Sequence, residues 1–134
     1  MRELLDPEKA KPSVLVIDDD EAVAWAIAAR LGRDFRVVGL NDPGQAVLRT
    51  LEDHPDVILC DINMPGMQGD DVAFALSQEP DTAQIPLIYL TALVGPDEAP
   101  DLEGVFGEYP TVSKSASTEE LRDAIEQALG LPDA

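Results

Sequence analysis

Apolar residues gather in four short, nearly continuous runs at 14–17 (VLVI), 37–40 (VVGL), 57–60 (VILC) and 87–90 (LIYL), with a weaker fifth, PTVS, ending at Ser113. Runs of this length, rich in β-branched residues, read as strands buried on both faces of a parallel sheet. Helical patterns fill the gaps between them. Asp20 is placed to cap a first helix, whose Val23, Ala26, Ile27 and Leu31 recur at helical spacing before Gly32. Asp42-Pro43-Gly44-Gln45 opens a second, with a capping side chain, a proline at the first helical position and a glutamine three residues after the cap. A third is expected from about Asp70 to Ser77, ending before Pro80. Ser117 and Glu120 form a capping box ahead of the last, which carries Leu121, Ala124, Ile125 and Ala128 on one face. Strand and helix alternate, so the expected architecture is α/β, a doubly wound parallel sheet with helices on both faces.

The rhythm breaks between residues 94 and 110. Three prolines (Pro96, Pro100, Pro110) and three glycines (Gly95, Gly104, Gly107) fall there. An interior proline costs a helix about 3 kcal/mol and an interior glycine about 1 kcal/mol relative to alanine. The fourth helix is therefore expected to be short, irregular or missing.

Polar residues follow the apolar runs in a pattern with chemical content: Asp18 and Asp19 after the first, Asp61 after the third, Thr91 after the fourth and Lys114 after the fifth. A parallel sheet gathers its strand C-termini along one edge, where ligands bind. Three carboxylates, a hydroxyl and an ammonium would meet there. Hard oxygen ligands suit Mg²⁺, which commonly takes one or two carboxylates together with phosphate oxygens. Without a cation the carboxylates repel one another, and at least one pKa rises. The set points to a phosphate-handling site with a divalent metal.

VLVIDDD, LCDINMPGMQGDD, LIYLTA and the downstream Lys114 together resemble the receiver domain of bacterial two-component response regulators. The resemblance covers 13–129, leaving an N-terminal extension at 1–12 and a tail at 130–134. It implies a flavodoxin-like five-stranded sheet in the order 2-1-3-4-5. It also implies that Asp61 is a phosphoacceptor, taking a phosphoryl group from a phosphohistidine of a histidine kinase or histidine phosphotransfer protein in a two-component phosphorelay. Asp18, Asp19, Asp61 and the backbone carbonyl of Asn63 would hold Mg²⁺ (or Mn²⁺), while Thr91 and Lys114 would bind the phosphoryl oxygens. Such a protein is not a classical enzyme; it assists its own phosphorylation and dephosphorylation and signals to a downstream protein through changed contacts.

Two positions depart from the family's pattern. Lys114 is followed by Ser115 where the family has a proline after a cis bond. Either the loop keeps a cis bond, at about 2.5–4 kcal/mol before a non-proline residue, or the bond is trans and Lys114 approaches differently. Thr111 stands where the family places a swinging aromatic. The expected signalling element is then the loop after Thr91, with Leu93, Val94 and Phe106 as a partner surface. Trp25 lies off the apolar stripe of the first helix among Ala22, Ala26 and Ala29, as an exposed docking residue for the phosphodonor.

Composition narrows the choice of partner. The 134 residues carry 27 acids against 9 bases, a formal net charge of −18. Nucleic-acid binding draws on phosphate neutralisation by Lys and Arg, so no nucleic-acid partner is expected. No run approaches the roughly 20 apolar residues of a membrane span, and the first twelve residues lack the apolar core of a signal peptide. A stand-alone cytoplasmic receiver is the expectation. Cys60 is the sole cysteine and sits inside an apolar run, which suits a buried, inert thiol. Two other readings remain open. A haloacid-dehalogenase-type phosphohydrolase would need Thr or Val at position 22, which is Ala22. A pseudo-receiver scaffold would keep the acidic pocket without being regulated by phosphorylation.

Overall fold

The computed structural model describes residues 11–92 and 109–130. Strands β1 (Ser13–Ile17), β2 (Arg36–Leu40), β3 (Val57–Asp61), β4 (Leu87–Thr91) and β5 (Thr111–Ser113) pair in parallel in the order β2-β1-β3-β4-β5. This is the flavodoxin-like sheet that the resemblance implies. Helices α1 (Glu21–Leu31), α2 (Ala46–Asp53), α3 (Gly69–Ser77), α4 (Pro80–Ala83) and α5 (Thr118–Leu129) connect the strands. Among the described residues no helix is long and apolar enough to cross a membrane. The expectation of an irregular fourth helix concerns a segment whose residues 94–108 lie outside the described ones.

Successive side chains of a strand point to opposite faces, and the central strands use both. Val14, Val16, Val57, Leu59, Ile88 and Leu90 pack with Ile27 and Leu31 of α1 and Leu121 and Ile125 of α5. On the other face Leu15, Ile17, Ile58, Cys60 and Tyr89 meet Ala46 of α2 and Val72, Ala73 and Leu76 of α3. All five positions are buried in each of β1, β3 and β4.

Several sequence expectations need correction. β2 is not buried on both faces: of its residues only Leu40 is buried, because the strand lies at the edge of the sheet. The apolar stripe of α1 is rotated, with Ala24 buried and Ala26 exposed. Gly39 explains the rotation, since a Cβ there would lie 2.7 Å from the Ala24 Cβ; glycine lets α1 lean onto β2 through Ala24. The second helix begins with a 3-10 turn over Pro43–Gln45, capped by Asp42 accepting from the Gly44 N–H at 3.0 Å. Pro80 does not merely end α3 but starts the single turn α4, where proline at N1 loses no helical hydrogen bond. The Thr82 hydroxyl donates back to the Leu76 carbonyl and ties that turn to α3.

The other caps form as expected. Asp20 accepts from Ala22 N–H at 3.0 Å. Ser117 accepts from Glu120 N–H at 3.0 Å and Glu120 accepts from Ser117 N–H at 3.2 Å.

The contrast between central and edge strands is measurable. Ile58→Ala, at a fully buried position, is expected to cost about 2–5 kcal/mol. Val38→Ala, half-buried on β2, is expected to cost under about 1 kcal/mol. Urea unfolding with an unchanged m-value checks both.

Candidate functional site

The three central strands end together on one side, and the strand ends supply the polar groups. Asp18 follows β1, and its N–H continues the ladder by donating to the Leu40 carbonyl at 3.0 Å. Asp61 closes β3 and Thr91 closes β4. Asp61 lies opposite Leu90, so Thr91 emerges one residue further along the neighbouring strand. Lys114 directly follows β5, and its N–H donates to the Thr91 carbonyl at 2.7 Å. Parallel pairing thus delivers the acids, the hydroxyl and the lysine to one edge.

The side chains converge there. Asp18 is 2% exposed and Asp61 5%. The Lys114 ammonium lies 2.8 Å from Asp18 Oδ2 and 3.2 Å from Asp61 Oδ1. Asp18 Oδ1 accepts from the Asp20 N–H at 2.9 Å, and Asp61 Oδ1 receives a long contact from the Asn63 N–H at 3.4 Å. One oxygen from each of Asp18, Asp19 and Asp61 fits within 4.8 Å of the others, with Asp19 exposed and the other two buried. The Lys114–Ser115 bond is trans, as are all peptide bonds among the described residues. Lys114 nonetheless reaches both carboxylates, which resolves the alternative left by Ser115.

The electrostatics follow from burial. Desolvation pushes the Asp61 carboxyl above its ordinary pKa and the Asp18 charge pushes it further, while the Lys114 ammonium pulls the other way. For Lys114 desolvation favours the neutral amine, but the hydrogen bond and charge of Asp18, then Asp61, outweigh it and hold the ammonium above its usual range. A single ammonium leaves the cluster with excess negative charge. Asp18 Oδ2 is buried, and the group that answers its charge is the Lys114 ammonium 2.8 Å away. Oxygen donors in this number fit a hard divalent cation such as Mg²⁺. Cys60 is fully buried beneath the site, and burial, followed by the charges of Asp61 and Asp18, raises its thiol well above the ordinary value. The thiol is buried, as expected.

Of the partner-surface residues, Trp25 is 71% exposed. It borders a groove of about 350 Å³ lined by Asp18, Glu21, Val37, Asn41 and Arg49. Leu93, Val94 and Phe106 lie outside the described residues. Thr111 is half-buried and its hydroxyl finds no partner among the described residues, while nearby Tyr109 stacks edge-on against Tyr89 with ring centroids 5.6 Å apart.

Gly69 is a structural requirement that the sequence signals only as a letter in MPGMQG. A Cβ there would lie 2.6 Å from the Asp61 carbonyl oxygen and 2.9 Å from the Ile62 Cα. Its N–H donates to the Ile62 carbonyl at 2.8 Å, so the start of α3 presses on the backbone that carries Asp61. Gly66 has φ +80°, a left-handed turn in the same loop.

Comparison with known proteins agrees with the geometry. The family model described as the response regulator receiver domain matches residues 14–126, and the chain belongs to that family. The response regulator PleD of Caulobacter vibrioides is 39% identical over 83 residues, 61% of this chain and 18% of that protein. The transcriptional regulatory protein AfsQ1 of Streptomyces coelicolor is 37% identical over 82 residues, 60% of this chain and 35% of that one. The matched stretch thus spans about a fifth to a third of these relatives. A chemotaxis protein of Vibrio cholerae, CheY4, superposes with a TM-score of 0.76 at 23% identity, covering 90% of this chain and all of that one. The signal receiver domain of a histidine kinase from Syntrophus aciditrophicus gives 0.74 at 25% identity, covering 89% and 90%.

Two predictions test this geometry. A carboxyl whose folded pKa is raised binds more protons folded than unfolded, so its contribution to stability falls as pH rises from the ordinary pKa through the raised one. In chelator at neutral pH, Asp61→Asn is therefore expected to stabilise the protein and to remove that part of the pH slope. Calorimetry against pH reads both. Gly69→Ala is expected to cost about 1–3 kcal/mol from forced backbone movement, and to shift the Asp61 and Ile62 amide resonances more than those of β1.

Proposed function

We propose that the protein is a phosphoacceptor of two-component signalling, with Asp61 taking a phosphoryl group from a phosphohistidine on a histidine kinase or phosphotransfer protein. The observation that carries the reading is the burial of Asp61 beside Asp18, with the Lys114 ammonium bridging the two. A carboxylate oxygen of Asp61 forms the new O–P bond as the P–N bond to the imidazole breaks. The bonding pair stays on the imidazole nitrogen, which takes up a proton as it leaves. Phosphoryl transfer asks the protein chiefly for positioning and charge neutralisation. Mg²⁺ (or Mn²⁺), held by Asp18, Asp19, Asp61 and the Asn63 carbonyl, would supply charge neutralisation at the phosphoryl oxygens. Lys114 moves from its carboxylate partners to a phosphoryl oxygen once Asp61 carries the acyl phosphate, and the Thr91 hydroxyl donates to another.

Trp25, exposed beside the groove that opens from Asp18, serves as a contact for the phosphodonor. The signal passes to a downstream protein through altered contacts, by way of the segment after Thr91. The receiver occupies 13–129, and the strongly acidic surface fits protein partners rather than nucleic acid or a membrane, in the cytoplasm.

Labelling with a small phosphodonor is the test. One phosphoryl group per chain in Mg²⁺, abolished by Asp61→Asn and by chelator, is the expected result. Full labelling of that variant overturns the assignment, sustained turnover points to a hydrolase and absence of label to a scaffold. Protons compete with the metal for Asp61, so Mg²⁺ affinity is expected to fall as pH drops through its raised pKa. A titration at several pH values checks that sign. Trp25→Ala is expected to slow transfer from the cognate kinase while leaving labelling by the small donor unchanged.

A further inference from the structure

We propose that Arg30 is a positioning residue for Lys114, holding the loop after β5 at the height that lets the ammonium reach the acidic edge. The inference rests on the reading of Lys114 as a phosphoryl-binding group. Arg30 lies in the last turn of α1, outside the site. Its Nη2 donates to the Ala116 carbonyl at 2.5 Å and its Nε to the Thr118 hydroxyl at 3.0 Å. Both donors belong to one edge of the planar guanidinium, so the fork grips oxygens on either side of Ser117 in a fixed geometry.

The loop has reason to need such an anchor. Lys114 is tied on its upstream side by its N–H to the Thr91 carbonyl, while downstream no proline ring restricts the backbone, because Ser115 occupies that place. Ser115 is exposed, and the hydrogen bonds here close the loop on itself: the Ser115 N–H and hydroxyl meet the Ser113 hydroxyl at 3.1 and 2.9 Å, and the Ala116 N–H donates to the Ser113 carbonyl at 3.0 Å. A cavity of about 100 Å³ bordered by Ala26, Arg30, Leu90, Ser113, Lys114 and Leu121 adjoins the loop, so packing on that side of Lys114 is incomplete. The ammonium lies 2.8 Å from Asp18 and 3.2 Å from Asp61, and a displacement on the order of 1 Å is enough to slow a positioned reaction up to about 100-fold.

A residue that merely stabilised the contact between α1 and α5 would act regardless of what stands at 114. A double-mutant cycle on the full chain separates the two roles. Labelling by acetyl phosphate in Mg²⁺ is measured for the parent, Arg30→Met, Lys114→Ala and the double variant, well below each melting temperature. Arg30→Met is expected to slow labelling roughly 10-fold, and to cause no further loss in the Lys114→Ala background. Equal losses in both backgrounds, or no loss in the parent, overturn the proposal. Should Lys114→Ala label at the parent rate, the phosphoryl-binding reading of Lys114 itself fails, and the inference with it. Should Arg30→Met not fold, Thr118→Val removes one acceptor of the fork. Its smaller loss is expected to vanish in the Lys114→Ala background, and persistence there overturns the proposal equally.

Discussion

An ammonium lodged between two buried carboxylates holds the C-terminal edge of this sheet together. Asp18 and Asp61 sit at the ends of adjacent strands with almost no exposure, where two like charges repel far more strongly than in water. Lys114 answers both at once, yet one positive charge cannot balance three acids when Asp19 is counted. Burial, and after it the Asp18 charge, raises the Asp61 carboxyl, and the remaining imbalance makes the edge receptive to a cation. The site is therefore electrostatically unfinished in a way that suits phosphoryl chemistry, in which charge arrives and leaves with the ligand.

The rest of the fold keeps those charges in register. Three strands buried on both faces give a rigid platform, and their parallel pairing sends each C-terminus to the same side. Glycines appear where backbones come closest: Gly39 admits α1 through Ala24, and Gly69 lets α3 start against the carbonyl of Asp61. The lysine comes from the least secure element, a three-residue edge strand followed by a loop without proline. Its support comes from a neighbour on the far side of the chain, Arg30, and from the capping box at Ser117. Precision at the edge is thus shared between a stiff sheet and a polar clamp.

The position of the aromatics gives this receiver a particular interior. Thr111 carries no ring, and its buried hydroxyl has no partner among the described residues. Tyr109, two residues earlier, packs edge-on against Tyr89 on β4. Tyr89 itself is held above its ordinary pKa, first by burial and then by the neighbouring Cys60 and Tyr109. The ring that packs against β4 from this end of the chain therefore precedes β5 and does not project from it.

Periodicity, caps and the order Asp-Asp, Asp, Thr, Lys were legible in the sequence, because they depend on local spacing: runs of apolar residues bounded by polar ends, and capping side chains that act within three residues. Those signals gave the strands, the starts of α1 and α5 and the identity of the charged edge. Burial of β2 was not legible, since a strand does not carry in its own letters whether it lies at the centre or the rim. The rotation of α1, the close approach of Gly69 to Asp61 and the clamp of Arg30 on Ala116 and Thr118 were decided by tertiary structure alone. Each depends on a contact between segments far apart in the chain or on a backbone distance below van der Waals tolerance. One-dimensional spacing carries no record of either.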